Sequence, residues 1–113
     1  MLMQYIIVPK KPKMSPGKIA SQVAHATFMA LEKESKVYLT KWKYTGMCVI
    51  VLQCQNTEQL LSASKYLDQW GIINHLYIDE GLTEVPPLTP TALATGIIKV
   101  EQQWIFKKFK LYK

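Results

Sequence analysis

Two short apolar runs, separated by a helix start, constrain the fold of this 113-residue chain more than any other feature. The runs cover residues 3–8 (MQYIIV) and 47–54 (MCVIVLQC), and both have the composition that is typical of buried strands. Between them, Ser15 offers an N-cap and Pro16 a favourable first helical residue. Because a strand, a helix and a second strand in succession form the repeating unit of α/β proteins, we predict an α/β domain.

The remainder of the chain continues this alternation. We predict helices over residues 17–34, 37–44, 56–70 and 100–106, and further strands over residues 72–78 and 91–98. The run at 47–54, apolar on both faces, predicts a central strand. Core positions are predicted at Ile19, Val23, Phe28 and Leu31 in the first helix, and at Leu60, Leu61 and Leu67 in the third.

Length and composition are those of one globular domain, predicted over residues 1–113. Apolar residues make up 49% of the chain and charged residues 19%, which argues against a disordered protein. The first apolar run is too short for a signal peptide. No run approaches the roughly 20 apolar residues of a membrane span, so we predict no membrane association.

The two cysteines, Cys48 and Cys54, lie on one predicted strand at a separation of about 20 Å, too far apart for a disulfide. They form no metal-ligand spacing with His25 or His75, so no metal site is predicted. Thiols without a disulfide are typical of a reducing compartment, which predicts a cytoplasmic protein.

The net charge of +6 favours a polyanionic partner, through long-range attraction and counterion release, although many basic proteins bind no polyanion. All 14 basic residues are lysines. Because lysine lacks the guanidinium fork, its contacts with a nucleic acid would read the backbone and shape rather than the sequence.

Several common catalytic motifs are missing. Gly17-Lys18 is followed by Ile19 rather than Ser or Thr, and Pro12 stands where a phosphate-binding loop would need its first Gly. The chain has no G-x-G-x-x-G, H-E-x-x-H or G-x-S-x-G motif. These absences argue against nucleotide hydrolysis, zinc-dependent hydrolysis and serine-hydrolase chemistry.

A polar stripe on the first helix is the first candidate site. Lys18, Gln22 and His25 recur at i, i+4 and i+7, a spacing that aims all three side chains along one face. The same spacing also fits a solvated polar stripe in which His25 is a hydrogen-bonded residue at the edge of the core.

Asp79, at the end of the third predicted strand, is the second candidate. Thr83, Thr89 and Thr91 lie in the long loop that follows or just beyond it. Sites in open α/β sheets gather beyond the carboxyl ends of strands, where Asp79 could meet Lys18. Alternatively, Asp79 only caps the loop.

Four segments resemble type II peptidyl-tRNA hydrolases. Residues 17–26 (GKIASQVAHA) resemble the family's G-K-x-A-x-Q-x-x-H-A signature, which is the most specific of the four. Residues 79–84 (DEGLTE) are similar to its D-A-G-R-T-Q block, residues 89–94 (TPTALA) to S-x-T-x-L-G, and residues 109–112 (FKLY) to the closing L-K-L-Y. The resemblance covers nearly the whole chain in order.

This resemblance implies a single three-layer α/β/α domain with a mixed four-stranded sheet and helices on both faces. It also implies hydrolysis of the ester bond between a peptide and tRNA, with peptidyl-tRNA as the partner and no metal or other cofactor. The residues that it implies for catalysis are Lys18, Asp79 and Thr83, with Gln22 and His25 nearby in the signature. A homodimer is compatible with so small a domain, although no residue indicates it.

Physical roles can be assigned to these residues. Asp79 could orient or deprotonate a water, while Lys18 could stabilise the oxyanion or keep Asp79 ionised. The side chains of Thr83 and Gln22 could position that water or the ester carbonyl. Substrate binding is predicted for Lys10, Lys11, Lys13, Thr89 and Thr91.

The sequence departs from the family pattern beside the proposed site. Leu82 replaces the family's Arg and Glu84 replaces its Gln, and both changes disfavour a phosphate-bearing ligand. The departures leave two alternatives open. One is a relative of the same fold that binds tRNA or another anionic ligand without cleaving it, and the other is a hydrolase of a different small ester or amide.

The basic tail, residues 107–113 (KKFKLYK), interleaves lysines with aromatic residues. Such a segment can follow an RNA backbone and stack on exposed bases. In the alternative interpretation, Phe109 and Leu111 pack on the sheet while the lysines remain solvated.

Overall fold

Strands and helices alternate along the chain in the computed structural model, which describes residues 1–81 and 84–113. The strands are β1 (Met3–Pro9), β2 (Cys48–Cys54), β3 (Asn74–Asp79), β4 (Thr89–Thr95) and β5 (Lys110–Leu111). The helices are α1 (Pro16–Leu31), α2 (Lys36–Tyr44), α3 (Thr57–Gln69) and a 3₁₀ helix at Val100–Phe106. Within these described ranges, none of the helices combines the length and apolar character needed to cross a membrane.

The three α-helices begin where capping residues occur in the sequence. Ser15, Ser35 and Asn56 each accept, through a side-chain oxygen, a hydrogen bond from the backbone N–H three residues later. This bond satisfies one of the amide groups that a helix leaves free at its start. The observed starts therefore lie within one residue of the predicted ones.

The sheet is mixed, with the strand order β3-β4-β1-β2-β5. β1 and β2 are parallel, β4 is antiparallel to both β1 and β3, and β5 is antiparallel to β2. β1, β2 and β3 therefore run in the same direction and end at the same edge of the sheet. The predicted α/β class and mixed sheet are confirmed, but the sheet has five strands rather than four.

Two predictions about strands are wrong. β2 is not central, because its outer neighbour β5 has only two residues, and Val49 of β2 is 42% exposed. An apolar run indicates burial, but it does not indicate which strands lie on either side. The fifth strand was not predicted because Lys110 and Leu111 pair with Gln53 and Leu52 through main-chain groups, which requires no apolar pattern.

Helices cover both faces of the sheet, so the three-layer arrangement is confirmed. Successive side chains of β1 point to opposite faces. Ile6 belongs to the core between the sheet and α1, together with Ala26 and Ala30. Ile7 belongs to the core on the other face, which α3 and the 3₁₀ helix cover and which includes Leu60.

α1 presents small side chains rather than large ones to the sheet. Its buried residues are Gln22, Ala26 and Ala30, which are spaced four apart. Phe28 was predicted to face the core, but it is 65% exposed. It lies two residues after the buried Ala26, which places it about 200° further around the helix axis, on the side away from the sheet. Leu61 of α3 is likewise exposed, contrary to the prediction.

Candidate active site

The candidate site lies at the edge of the sheet where β1 and β3 end and α1 begins. The chain leaves β1 at Pro9 and enters α1 through Ser15, whose hydroxyl oxygen accepts a hydrogen bond from the Lys18 amide at 3.2 Å. Lys18 is therefore held in the first turn of α1, within reach of the end of β3. Sites in open α/β sheets form beyond the carboxyl ends of strands in this way.

Lys18 and Asp79 form an ion pair at this edge. Lys18 Nζ lies 2.9 Å from Asp79 Oδ1, and each side chain is only 10% exposed. The other carboxylate oxygen, Oδ2, accepts a hydrogen bond from the Gly81 amide at 2.8 Å. Gly81 has a φ of +78°, and a Cβ there would collide with the backbone of Pro87, so this position requires glycine.

The surroundings of Asp79 keep it ionised. Burial raises the pKa of the Asp79 carboxyl, but the hydrogen bonds from Lys18 and Gly81, the charge of Lys18 and the Gln22 amide together lower it below its ordinary value. A carboxylate whose pKa lies below its ordinary value is a weak base for abstracting a proton at neutral pH. The pair is better suited to electrostatic stabilisation, in which Asp79 fixes the position of the Lys18 ammonium group.

Gln22 connects the ion pair to the interior of the domain. Its side chain is 2% exposed, and its Oε1 accepts a hydrogen bond from the hydroxyl of Thr91, which is 1% exposed. The amide oxygen of Gln22 is therefore hydrogen-bonded to a residue of β4. The same side chain helps to lower the pKa of Asp79. Thr91 therefore fixes the orientation of the Gln22 amide from the buried side of the site.

His25 lies on the same helical stripe but apart from the ion pair. Its exposed ring stacks on Tyr77, with 4.8 Å between ring centroids and 21° between ring planes. Tyr77 precedes Asp79 by two residues on β3, and both side chains face α1, because Tyr77 packs against the core beneath α1 and Asp79 binds Lys18. The helical stripe thus brings Lys18 and Gln22 to Asp79, while it brings His25 to a neighbouring aromatic ring.

Glu84 holds the start of α1, a role that the sequence did not indicate. Its carboxylate accepts two hydrogen bonds from Ser15, one from the hydroxyl at 2.6 Å and one from the backbone amide at 2.7 Å. These bonds lower the pKa of Glu84; burial opposes them, and the charge of Lys18 lowers the pKa further. Helix N-termini favour carboxylates, but this preference does not indicate which acid in a distant loop is used.

The lysines predicted to bind substrate lie on the loop between β1 and α1. Lys11 and Lys13 are exposed. Lys10 instead donates a hydrogen bond to the main-chain oxygen of Lys113 at 2.5 Å, and its Nζ lies 4.3 Å from the centroid of the Tyr112 ring. Two of the three lysines are thus open to an anionic ligand, and the third ties Tyr112 and Lys113, which follow β5, to this loop.

The threonines predicted at the site have different positions. Thr89 is buried and donates a hydrogen bond to the main-chain oxygen of Pro86 at 2.6 Å, so its hydroxyl, like that of Thr91, is used within the protein. Thr83, predicted to be catalytic, lies outside the described residues together with Leu82.

The two thiols are separate from the candidate site. Cys48 and Cys54 stand at opposite ends of β2 as free cysteines. Burial raises the pKa of Cys54 to about 11, which makes this thiol a poor nucleophile. Within residues 1–81 and 84–113, no three side chains of His, Cys, Asp or Glu lie close enough together to hold a metal ion.

Known proteins resemble this chain over most of its length. A family model described as peptidyl-tRNA hydrolase PTH2 matches residues 2–112. A peptidyl-tRNA hydrolase from Methanopyrus kandleri is 38% identical over 104 residues, which cover 90% of this chain and 90% of that protein. One from Thermococcus onnurineus is 35% identical over 96 residues (82% of this chain, 81% of that protein). One from Thermoplasma volcanium is 36% identical over 94 residues (80% of each).

Proposed function

The chain belongs to the peptidyl-tRNA hydrolase PTH2 family, and we propose that it hydrolyses the ester bond between tRNA and a peptide or an N-blocked amino acid. Water attacks the ester carbonyl, and the products are a free carboxylate and a tRNA with a free terminal hydroxyl. The observation that carries the proposal is the largely buried ion pair of Lys18 and Asp79. Each member of this pair lies in a segment that resembles a motif of the family.

The ion pair supports a mechanism of charge stabilisation. Attack by water places negative charge on the carbonyl oxygen, and a fixed donor at that oxygen lowers the barrier. The Lys18 ammonium group is the proposed donor. Since Asp79 is held through both of its oxygens, its remaining lone pairs have fixed directions and can orient the attacking water.

Other residues of the site are assigned supporting roles. Gln22 is the proposed contact for the water or the ester carbonyl, because Thr91 fixes the orientation of its amide. Thr83 is proposed to act beside it on the strength of the motif alone. His25, stacked on Tyr77, is proposed to contact the substrate rather than to exchange protons with it.

We assign the binding of tRNA to lysines. Lys11 and Lys13 are the proposed phosphate contacts, because both are exposed on the loop that leads into α1 and the chain carries a net charge of +6. Lys10 contributes its charge from the base of the same loop. Thr89 and Thr91 support the site from within the domain.

Location and assembly are also proposals. A cytoplasmic location is supported by the free thiols of Cys48 and Cys54 and by the role of this family's reaction in translation. A homodimer is supported only by the small size of the domain, and sedimentation velocity would measure it.

The first experiment measures release of the N-acetylated amino acid from N-acetyl-aminoacyl-tRNA. We expect turnover by the wild-type protein and a loss of at least about 10²-fold in kcat for Asp79→Ala and for Lys18→Ala. Glu80→Ala is the matched control, because it removes a neighbouring but exposed carboxylate. Thermal unfolding of each variant separates a catalytic effect from a loss of fold.

Two outcomes would contradict the proposal. Full activity of Asp79→Ala or Lys18→Ala would show that the ion pair takes no part in the reaction. A wild-type protein that binds tRNA at low salt but releases no product would be a binding relative of the family rather than a hydrolase.

A further inference from the structure

A groove lies at the same edge of the sheet as the ion pair, but on the face that α3 covers. Its volume is about 370 Å³, and it is bounded by the end of β2, the first half of α3 and the tail that leads into β5. The lining includes Gln53, Gln59, Lys108, Phe109 and Lys110. The proposed hydrolysis uses none of these residues.

The Gln59 side chain makes the groove a donor of hydrogen bonds. Gln59 Oε1 accepts a hydrogen bond from the Gln55 amide at 2.8 Å. Because the backbone engages this amide oxygen, the Gln59 NH₂ group is left to donate to a ligand. Among the described residues that line the groove, none is acidic.

Two lysines and an aromatic ring complete the lining. Lys108 Nζ lies 3.5 Å from the centroid of Tyr66 and 5.4 Å from that of Phe109, so the cation is held beside the rings. Phe109 is half-buried and packs edge-on against Tyr66. Lys110 is exposed in β5. A ligand with a flat ring and a phosphate could contact all of these groups at once. Its ring would stack against Phe109, and its phosphate would bind the two lysines.

Main-chain pairing links the groove to the loop that leads into the candidate active site, at the carboxyl edge of the sheet. Cys54, which lines the groove, pairs with Pro9 at the end of β1. The loop after β1 is tied to the same place, because the Lys10 amide donates to Cys54 O at 2.9 Å and the Lys11 amide to Gln55 O at 3.2 Å. β2 lies three strands from β3, so the groove is about 15 Å from the end of β3 at about 4.8 Å per strand.

We infer that this groove binds one unpaired nucleotide of the tRNA while the ester is held at the ion pair. The inference rests on the proposed hydrolase function and assigns a part of its substrate to a site. The volume fits a ligand the size of one nucleotide rather than a duplex. The base lies against Phe109, the Gln59 amide donates to one of its acceptors, and Lys108 and Lys110 bind its phosphate.

The test compares two substrates that share the same ester. One is N-acetyl-aminoacyl-tRNA, and the other is N-acetyl-aminoacyl-adenosine, which is too short to reach the groove. The groove variant is Lys108→Ala with Lys110→Ala. The matched control is Lys36→Ala with Lys65→Ala, which removes the same charge from exposed positions outside the groove.

The quantity measured is the ratio of kcat/KM for the tRNA substrate to kcat/KM for the adenosine ester. We expect this ratio to fall about tenfold in the groove variant and less than about twofold in the control. Phe109→Leu, which keeps an apolar side chain but removes the ring, should lower the ratio about fivefold because the base loses its stacking surface.

Equal ratios for the groove variant and the control would overturn the inference. A parallel loss on both substrates would also overturn it, because the substitutions would then act on the ion pair or the fold. If the wild-type protein hydrolyses neither substrate, the hydrolase proposal fails, and direct tRNA binding then tests the groove. Weaker binding by the groove variant than by the control would support the nucleotide site, and equal binding would reject it.

Discussion

At the scale of single residues, the two oxygens of the Asp79 carboxylate face different donors, Lys18 Nζ at 2.9 Å and the Gly81 amide at 2.8 Å. Burial raises the pKa of this carboxyl, but the donors outweigh burial and the net shift is downward. The unfolded-state pKa of an aspartate is about 3.9. Asp79 therefore stabilises the fold above that pH, and the contribution is lost as the pH falls through the lower folded-state pKa.

Replacing Lys18 by methionine should raise the pKa of Asp79, because the hydrogen bond and the positive charge disappear while burial remains. A ¹³C NMR titration of the Asp79 carboxyl would measure the change. Lys13→Met, which removes an exposed cation from the preceding loop, is the control and should leave the titration nearly unchanged. The same titration curve for Lys18→Met and wild type would show that the ion pair does not form in solution.

The sequence was sufficient to predict that Lys18 and Asp79 lie close together, because Lys18 is at the start of a helix and Asp79 is at the end of a strand at the same edge of the sheet. It was not sufficient for Glu84 or Thr91. The partners of these two residues, Ser15 and Gln22, each lie 69 positions away along the chain. No local pattern indicates which distant hydroxyl or carboxylate completes such a hydrogen bond.

At the scale of the elements, two neighbouring leucines of α3 provide a matched test of packing. Leu60 is fully buried, whereas Leu61 is 42% exposed. We expect Leu60→Ala to lower the free energy of unfolding by about 2–5 kcal/mol and Leu61→Ala by less than about 1 kcal/mol. Urea denaturation followed by circular dichroism would measure both values, and equal losses would mean that α3 packs through a different face.

Elements whose limits depend on local chemistry were predicted better than those whose limits depend on pairing. The caps of α1 and α3 can be recognised within a few residues of sequence. β4 was predicted over residues 91–98 but runs from Thr89 to Thr95, because it starts opposite Asp79 of β3. Beyond its end, the Ile97 amide donates instead to the side chain of Glu34 at 2.8 Å.

At the scale of the whole molecule, an excess of lysines predicts a salt-sensitive reaction. Between about 50 and about 200 mM salt, we expect KM for N-acetyl-aminoacyl-tRNA to rise about 10- to 100-fold, because phosphate contacts release counterions. The adenosine ester has no phosphate, so its KM should change less than about twofold over the same range. Similar salt dependence for both substrates would show that the net charge of +6 does not act through the tRNA backbone.

The strand order also determines when this domain can fold. β1 is the earliest of the five strands in the chain, yet it lies at the centre of the sheet and needs β4 as one of its neighbours. The hydrogen bond from Gln4 Nε2 to Thr95 O joins positions 91 residues apart. Contacts of such long range close large loops and form slowly. On the ribosome, β1 can pair with β2 and be covered by α1 early, but it lacks its other neighbour until β4 has been synthesised, so the sheet is completed late.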